Sequence, residues 1–312
     1  MQRSVGWLTT VKRWLVDVTD RILVFGASGQ LGSAVLATAP STALEAPRTV
    51  DVADSQDVLD CVRKAVPDWV VNCAAMTDVD GAHQDPQRAF AVNALGPGNL
   101  ARAAEDVGAR VIQISTEAVF SGAAVVAYTE EDVCQPVSVY GSSKLSGESL
   151  VSIYCPGSYV LRTSWLYSDQ RGTNFPTRVL NQLEDPGKKL SVVTDIVGNP
   201  TPTSLVADAI SAILHSPPDP GVYHVCAGGP ASKFDWAVEI AIWAGFDPGR
   251  ISPVSSDAYP TVARRPKYVD LDCSKFQSTS LLELPTWRDA WLSEISAWDR
   301  RPGALDSSSA NA

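Results

Sequence analysis

The chain of 312 residues carries 35 acidic against 25 basic residues, a net charge of -10, with 45% hydrophobic and 19% charged residues. That balance suits a soluble globular protein with one large domain, or one domain and a smaller lobe. It excludes broad electrostatic attraction to nucleic acid or an anionic membrane surface.

No apolar run approaches the roughly 18 residues of a membrane span, and residues 1–20 lack the apolar core and cleavage site of a signal peptide. Within them Trp7, Val11, Trp14, Leu15 and Val18 recur at helical spacing. This extension is either a short amphipathic helix docked on the body or a partner, or the product of a start codon placed too far upstream. Cys61, Cys73, Cys134, Cys155, Cys226 and Cys273 are scattered without paired spacing, which points to a reducing cytoplasm. His83, His215 and His224 form no ligand cluster, so no metal is expected.

From Arg21 strand and helix alternate. Ile22–Phe25 is a continuous apolar run, as for a strand buried on both faces, and it feeds Gly26-Ala27-Ser28-Gly29-Gln30-Leu31-Gly32 ahead of helically spaced Leu31, Val35 and Leu36. Glycines there let backbone N–H groups approach a pyrophosphate at the positive end of the next helix. Ala43–Ala46 reads as a second strand. Beyond it Arg48 stands where an NAD site would offer the ribose an acidic residue. Arg48 either pairs with a 2'-phosphate, favouring NADP, or is a solvated surface charge. Asp51 is placed to accept a hydrogen bond from the adenine amino group.

Val58–Val66 is predicted helical, and Trp69–Asn72 a buried strand whose end, Asn72-Cys73-Ala74-Ala75, leaves room for a ligand. Residues 85–107 read as helix. Arg110–Ile114 is a strand that delivers Ser115 and Thr116 to the carboxyl edge, where open parallel sheets bind ligands. A loop over 121–139 then leads to Tyr140-Gly141-Ser142-Ser143-Lys144. Residues four apart share a helix face, and an ammonium beside a phenol favours the phenolate, making an acid usable near neutral pH.

Tyr159–Trp165 is predicted as a strand, followed by an irregular region rich in Pro, Gly and Asn until a helix over 206–214. Pro217–Gly221 is a stiff turn and Val222–Cys226 a strand. Residues 233–301 read as mostly helix and loop, with Trp287, Trp291, Ile295 and Trp298 on one helical face as packed core. The Ser- and Ala-rich tail from Pro302 reads as disordered. The expected fold class is α/β, a doubly wound, Rossmann-like parallel sheet with a smaller C-terminal substrate lobe. In that division residues 1–20 are an extension, 21–166 and about 203–232 the dinucleotide-binding domain, 167–202 and 233–301 the substrate lobe, and 302–312 the tail.

Taken together, Gly26-x-x-Gly29-x-x-Gly32, the Asn72-Cys73-Ala74-Ala75 strand end, Ser115-Thr116 and Pro136-x-x-x-Tyr140-Gly141-x-x-Lys144-x-x-Gly147-Glu148 resemble the extended short-chain dehydrogenases/reductases in order and spacing. Within that superfamily Ser115–Gly122, Arg162-Thr163-Ser164-Trp165, Gly198-Asn199-Pro200-Thr201 and Arg265-Pro266 resemble the dTDP-4-dehydrorhamnose reductase group. The resemblance implies reduction at C4 of a nucleotide-linked, dTDP-type 4-keto-6-deoxyhexose in deoxysugar biosynthesis. It implies NADPH as the cofactor, with NADH as the alternative, a nucleotide-sugar substrate, a cytoplasmic enzyme and a homodimer as a possible assembly.

It further implies that Thr116 meets the ketone oxygen, Tyr140 donates the proton, and Lys144 holds the nicotinamide ribose and depresses the Tyr140 pKa. The implied cofactor cradle is Gly26, Ser28, Gly29, Gln30, Leu31, Gly32, Arg48, Asp51, Val52, Cys73, Ala74, Ala75 and Thr77, with Tyr140 and Lys144. The implied substrate side is Val79, Thr116, Glu117, Trp165 and Asn174. Trp165 is either a sugar platform or a strand-end core residue. Glu117-Ala118 departs from the group's Asp-Tyr, which implies a differently shaped pocket and a related keto-deoxysugar. A dehydratase would follow its Thr with two adjacent carboxylates, which Ala118 cannot supply. An epimerase of the same superfamily and a non-catalytic dinucleotide-binding regulatory subunit remain as alternatives.

Overall fold

The computed structural model describes residues 20–169, 174–296 and 298; the extension's helical stripe and the tail lie outside the described residues. In chain order the strands are β1 Ile22–Phe25, β2 Ala43–Glu45, β3 Trp69–Asn72, β4 Arg110–Thr116, β5 Tyr159–Thr163, β6 Leu166–Tyr167, β7 Leu190–Val193, β8 Val197–Gly198, β9 Thr201–Pro202, β10 Gly221–His224, β11 Ala231–Ser232 and β12 Ile251–Val254. The α-helices are α1 Gln30–Thr38, α2 Ser55–Ala65, α3 Val79–Gln84, α4 Pro86–Phe90, α5 Gly96–Val107, α6 Val139–Tyr154, α7 Phe175–Leu183, α8 Thr203–His215, α9 Lys233–Trp243, α10 Ser274–Ser278 and α11 Trp287–Ile295.

A strand whose four residues are all apolar can satisfy both faces only inside a layered sheet, and β1 and β3 are buried throughout. Both lie in a six-stranded parallel sheet of order β10-β5-β4-β3-β1-β2. Alternate side chains feed two cores: Ile22, Val24, Val71 and Ile112 join one, while Leu23, Phe25, Val70 and Val111 join the other. The α1–α8 pair belongs to the first and α2 and α5 to the second. The chain leaves β1 for β2 on one side and returns to β3 on the other, so the strand order reverses at β1/β3. That switch point is where a doubly wound sheet opens a ligand crevice at its carboxyl edge.

Three local expectations change. The helix predicted over 85–107 is α4, a π-helical turn at Ala91–Leu95, and α5. Pro97 has no N–H to give the Asn93 carbonyl, and the wider turn absorbs that missing bond. The region read as irregular after Trp165 contributes β7, which pairs in parallel with β12, so the C-terminal part contains sheet as well as helix and loop. The strand predicted over Tyr159–Trp165 stops at Thr163 because Trp165 adopts a left-handed backbone with φ 43°. The tryptophan stripe does pack as core, with Trp287, Trp291 and Ile295 buried and Trp291 5.6 Å from Trp298.

Candidate active site

The switch point is built for close backbone approach. Gly26 ends β1 with φ +70°, and a Cβ there would lie 2.5 Å from the Ala74 nitrogen at the end of β3. Only glycine lets the two strand ends meet. The N-cap of α1 is Gly29, which offers no side-chain cap, and no acidic residue occupies the first turn. The helix therefore turns uncapped N–H groups and its positive end toward the crevice, an arrangement that fits a pyrophosphate. Ser28 and Gly29 are exposed there, while Leu31 and Gly32 pack inward.

Across the crevice Asn72 accepts from the Ala74 N–H at 3.0 Å and donates to Gln113 Oε1 at 2.8 Å, fixing the floor under Cys73, Ala74 and Ala75. Burial pushes the Cys73 thiol up to about 12, with Lys144 opposing. Asn93 clasps Met76 through both amide atoms, at 2.8 and 3.0 Å, which anchors the approach to exposed Thr77 and to Val79 at the start of α3.

At the β2 end Arg48 is exposed in a turn, and Val52 is buried in the second core. The Asp51 carboxylate, expected to face an adenine, is engaged by Arg88 at 2.9 Å and by the Ala53 N–H at 3.0 Å. The Arg88 hydrogen bond, followed by that of Ala53, holds Asp51 below the usual carboxylate range. Arg88, a residue of α4, escaped the sequence reading because nothing local to position 88 points to position 51.

The second cluster lies where β4 ends. Thr116 is buried; its hydroxyl donates to Glu117 Oε2 at 2.7 Å and accepts from the Ala118 N–H at 3.1 Å. Facing it, α6 begins with Ser138 accepting from the Gly141 N–H at 3.1 Å. A Cβ on Gly141 would lie 2.1 Å from the Ala118 carbonyl, so glycine after Tyr140 allows the first turn of α6 to rest on the 117–119 turn. Tyr140 is thereby brought beside Thr116 and Glu117.

One turn on, the buried Lys144 ammonium donates to the Ile114 carbonyl at 2.7 Å. Burial lowers its pKa to about 8, opposed by Glu148 and Cys73. The expectation that Lys144 depresses the Tyr140 pKa is not met. The phenol is raised well above its ordinary value, first by burial and then by the Glu117 charge, with the Thr116 hydroxyl opposing. The charge that bears on the phenol is a carboxylate, while the ammonium is spent on a carbonyl.

Beneath this corner Glu148 forms a buried pair with Arg162, 2.8 Å from Nη2 and 3.0 Å from Nε, and accepts from the Ser115 hydroxyl. It pins α6 to β4 and β5. The other motif segments are also supports: Asn199 donates to Asp270 at 2.7 Å and accepts from the Leu271 N–H at 3.1 Å, and Arg265 pairs with Asp80, next to Val79, at 2.8 Å.

Two predicted substrate residues have protein partners. Asn174 caps α7 through Thr177 at 3.1 Å, donates to the Ser168 carbonyl at 3.0 Å and reaches Gln30 Oε1 at 3.4 Å, so the glycine turn and α7 meet through its amide. The Trp165 indole stacks toward Trp236, with ring centroids 6.1 Å apart, and the Lys233 ammonium lies 3.3 Å above its centre. Lys233 was not singled out from the sequence. A signal existed: it is the first residue of α9, directly after the Ser232 cap, where a cation opposes the helix dipole.

The family profile described as RmlD substrate binding domain matches residues 20–298. A dTDP-4-dehydrorhamnose reductase of Mycolicibacterium smegmatis is 37% identical over 293 residues, covering 92% of this chain and 88% of that protein. The chain belongs to the dTDP-4-dehydrorhamnose reductase family. The Escherichia coli member is 37% identical, with coverage of 86% of this chain and 94% of that one. Among solved structures, the family member from Bacillus anthracis in complex with NADP superposes with a TM-score of 0.84 at 30% identity, covering 89% of this chain and 99% of that one. The member from Clostridium acetobutylicum gives 0.83 at 34% identity, covering 88% and 98%. A dTDP-glucose 4,6-dehydratase from Streptomyces venezuelae, at 19% identity and a TM-score of 0.74, shares the fold. The family's fold is thus that of this chain.

Proposed function

We propose that the protein reduces the C4 ketone of a nucleotide-linked, dTDP-type 4-keto-6-deoxyhexose with NADPH, in the cytoplasm. The observation that carries this reading is the single corner at the end of β4, where Tyr140 and Thr116 stand together with Lys144 one helical turn away. The uncapped start of α1 and the Gly26 approach suit the pyrophosphate, and Arg48 is the cation offered to a 2'-phosphate. NADPH supplies a hydride, two electrons and one hydrogen, to the carbonyl carbon.

Thr116 turns its hydroxyl from Glu117 to the ketone oxygen, which orients the ketone and stabilises the charge that develops there. Tyr140 gives its phenolic proton to that oxygen as the C–H bond forms, so ketone, hydride and proton balance to an alcohol. A phenol raised by burial and by Glu117 keeps its proton until an alkoxide, a much stronger base, demands it. Lys144, its ammonium fixed by the Ile114 carbonyl, holds the ribose.

The test is NADPH oxidation, followed by absorbance, with dTDP-4-keto-6-deoxyglucose and its epimerised and deoxygenated derivatives. Stoichiometric oxidation with at least one of them is expected. Binding without oxidation of NADPH in every case contradicts the reading.

A further inference from the structure

Among the described residues the half-buried Lys233 ammonium has no hydrogen-bonding side chain or carbonyl. It lies over three ring faces, 3.3 Å from the centre of Trp165, 4.8 Å from Phe175 and 5.0 Å from Trp236. Among the described residues no oxygen accepts a hydrogen bond from it. Its position as first residue of α9 sets it against the positive end of that helix. Ring faces offset part of the desolvation of an ammonium, but they leave its three N–H donors unused. Burial moves its pKa well below the usual lysine range, opposed by Glu117 and reinforced by Arg178.

Glu117 is the complementary half. One carboxylate oxygen takes the Thr116 hydroxyl at 2.7 Å, and among the described residues no other side chain donates to the group. Burial raises its pKa, while Lys233 pulls it down. An unused donor and an unused acceptor therefore lie close enough to bear on one another, the acceptor directly beside the threonine assigned to the ketone.

We infer that Lys233 and Glu117 together hold the hydroxyl on the sugar carbon next to the ketone, Lys233 donating to its oxygen and Glu117 accepting its hydrogen. A hydroxyl is a compact neutral substituent that satisfies both groups. A carboxylate would meet Lys233 but be repelled by Glu117, and an ammonium the reverse. In a 4-keto-6-deoxyhexose C5 carries the methyl group and the ring oxygen, so the hydroxyl in question is that on C3. The inference rests on the proposed ketoreduction and narrows its substrate to sugars that retain the C3 hydroxyl. Sites built to hydrogen-bond a hydroxyl reject its deoxy analogue strongly, because two buried polar groups are left unpaired.

The experiment compares kcat/KM for the C3-hydroxyl substrate and its 3-deoxy counterpart in wild-type protein, Lys233→Met and Glu117→Gln. Wild type is expected to prefer the hydroxylated sugar by at least ~10²-fold, and each variant to bring that ratio below ~10-fold. The loss should come with a raised KM for the hydroxylated sugar and unchanged NADPH affinity. A merely structural role for Lys233 would lower stability in Lys233→Met and leave the ratio where it was. Should Lys233→Met fail to fold, Glu117→Gln carries the same expectation alone. A wild-type preference below ~10-fold, or a ratio unmoved in the folded variants, overturns the inference and leaves the ketoreductase reading standing. If neither sugar nucleotide is turned over or bound by NADPH-loaded protein, the reading falls and the inference with it.

Discussion

The two sides of the crevice handle buried charge in opposite ways. Around Tyr140 the ions reach oxygens: Lys144 gives to the Ile114 carbonyl at 2.7 Å, and Glu148 pairs with Arg162 at 2.8 Å while accepting from Ser115, with Arg162 Nη1 the one guanidinium nitrogen left without a partner among the described residues. Around Trp165 the Lys233 ammonium meets ring faces, and Glu117 receives one hydroxyl. Satisfied polar networks rigidify a site, whereas unsatisfied ones cost stability that a ligand can recover. The first side is built to hold the reacting groups still, and the second is left open for a sugar to complete.

Tyr140→Phe should give the largest effect. Turnover should fall by ~10²–10⁴-fold with NADPH affinity unchanged, as measured by single-turnover kinetics and cofactor titration. Wild-type turnover in that variant would remove the acid from the satisfied side. Stability separates the two sides next. Glu148→Ala, which strands the Arg162 charge, should cost about 3–5 kcal/mol in urea unfolding. Lys233→Met, which removes an ammonium with no oxygen partner among the described residues, should leave stability equal or raise it. Equal losses in both variants would erase the contrast.

The pH profile sharpens it further. Lys144 titrates at about 8 rather than 10.5, so it is charged below that pH and neutral above it. The value of kcat/KM for NADPH should therefore decline as pH rises through about 8, and Lys144→Arg should remove that limb. The phenol does not produce it, being raised above its ordinary value. The smallest effect is expected at the crevice mouth: Arg48→Ala should weaken NADPH binding roughly tenfold relative to NADH. Equal changes for both cofactors would mean that Arg48 does not meet the 2'-phosphate.

The satisfied side was legible in the chain because its signals are local. An apolar run ending in Gly26, a strand delivering Thr116, and Tyr140 four residues before Lys144 each sit within one element and its neighbour, where strand and helix periods dictate who faces whom. On the open side the family resemblance named Glu117 and Trp165 but not Phe175 or Lys233, because the four meet only after three separate segments fold over the sheet edge. Trp165 illustrates the limit: β propensity carried the strand through it, and tertiary packing against Trp236 and Lys233 accompanies a left-handed turn instead. The break at Ala91–Leu95 was similarly hidden, although Pro97 carried its cause in plain view.

The most direct test of the reduction follows the hydride itself. The protein is incubated with NADPH deuterated at the transferable position of its nicotinamide and a dTDP-linked 4-keto-6-deoxyhexose bearing the C3 hydroxyl, and the product is read by NMR. One deuterium bonded to C4 of a new alcohol is expected, with one NADPH consumed per product. Unlabelled C4, or sugar interconversion without net consumption of NADPH, would contradict it.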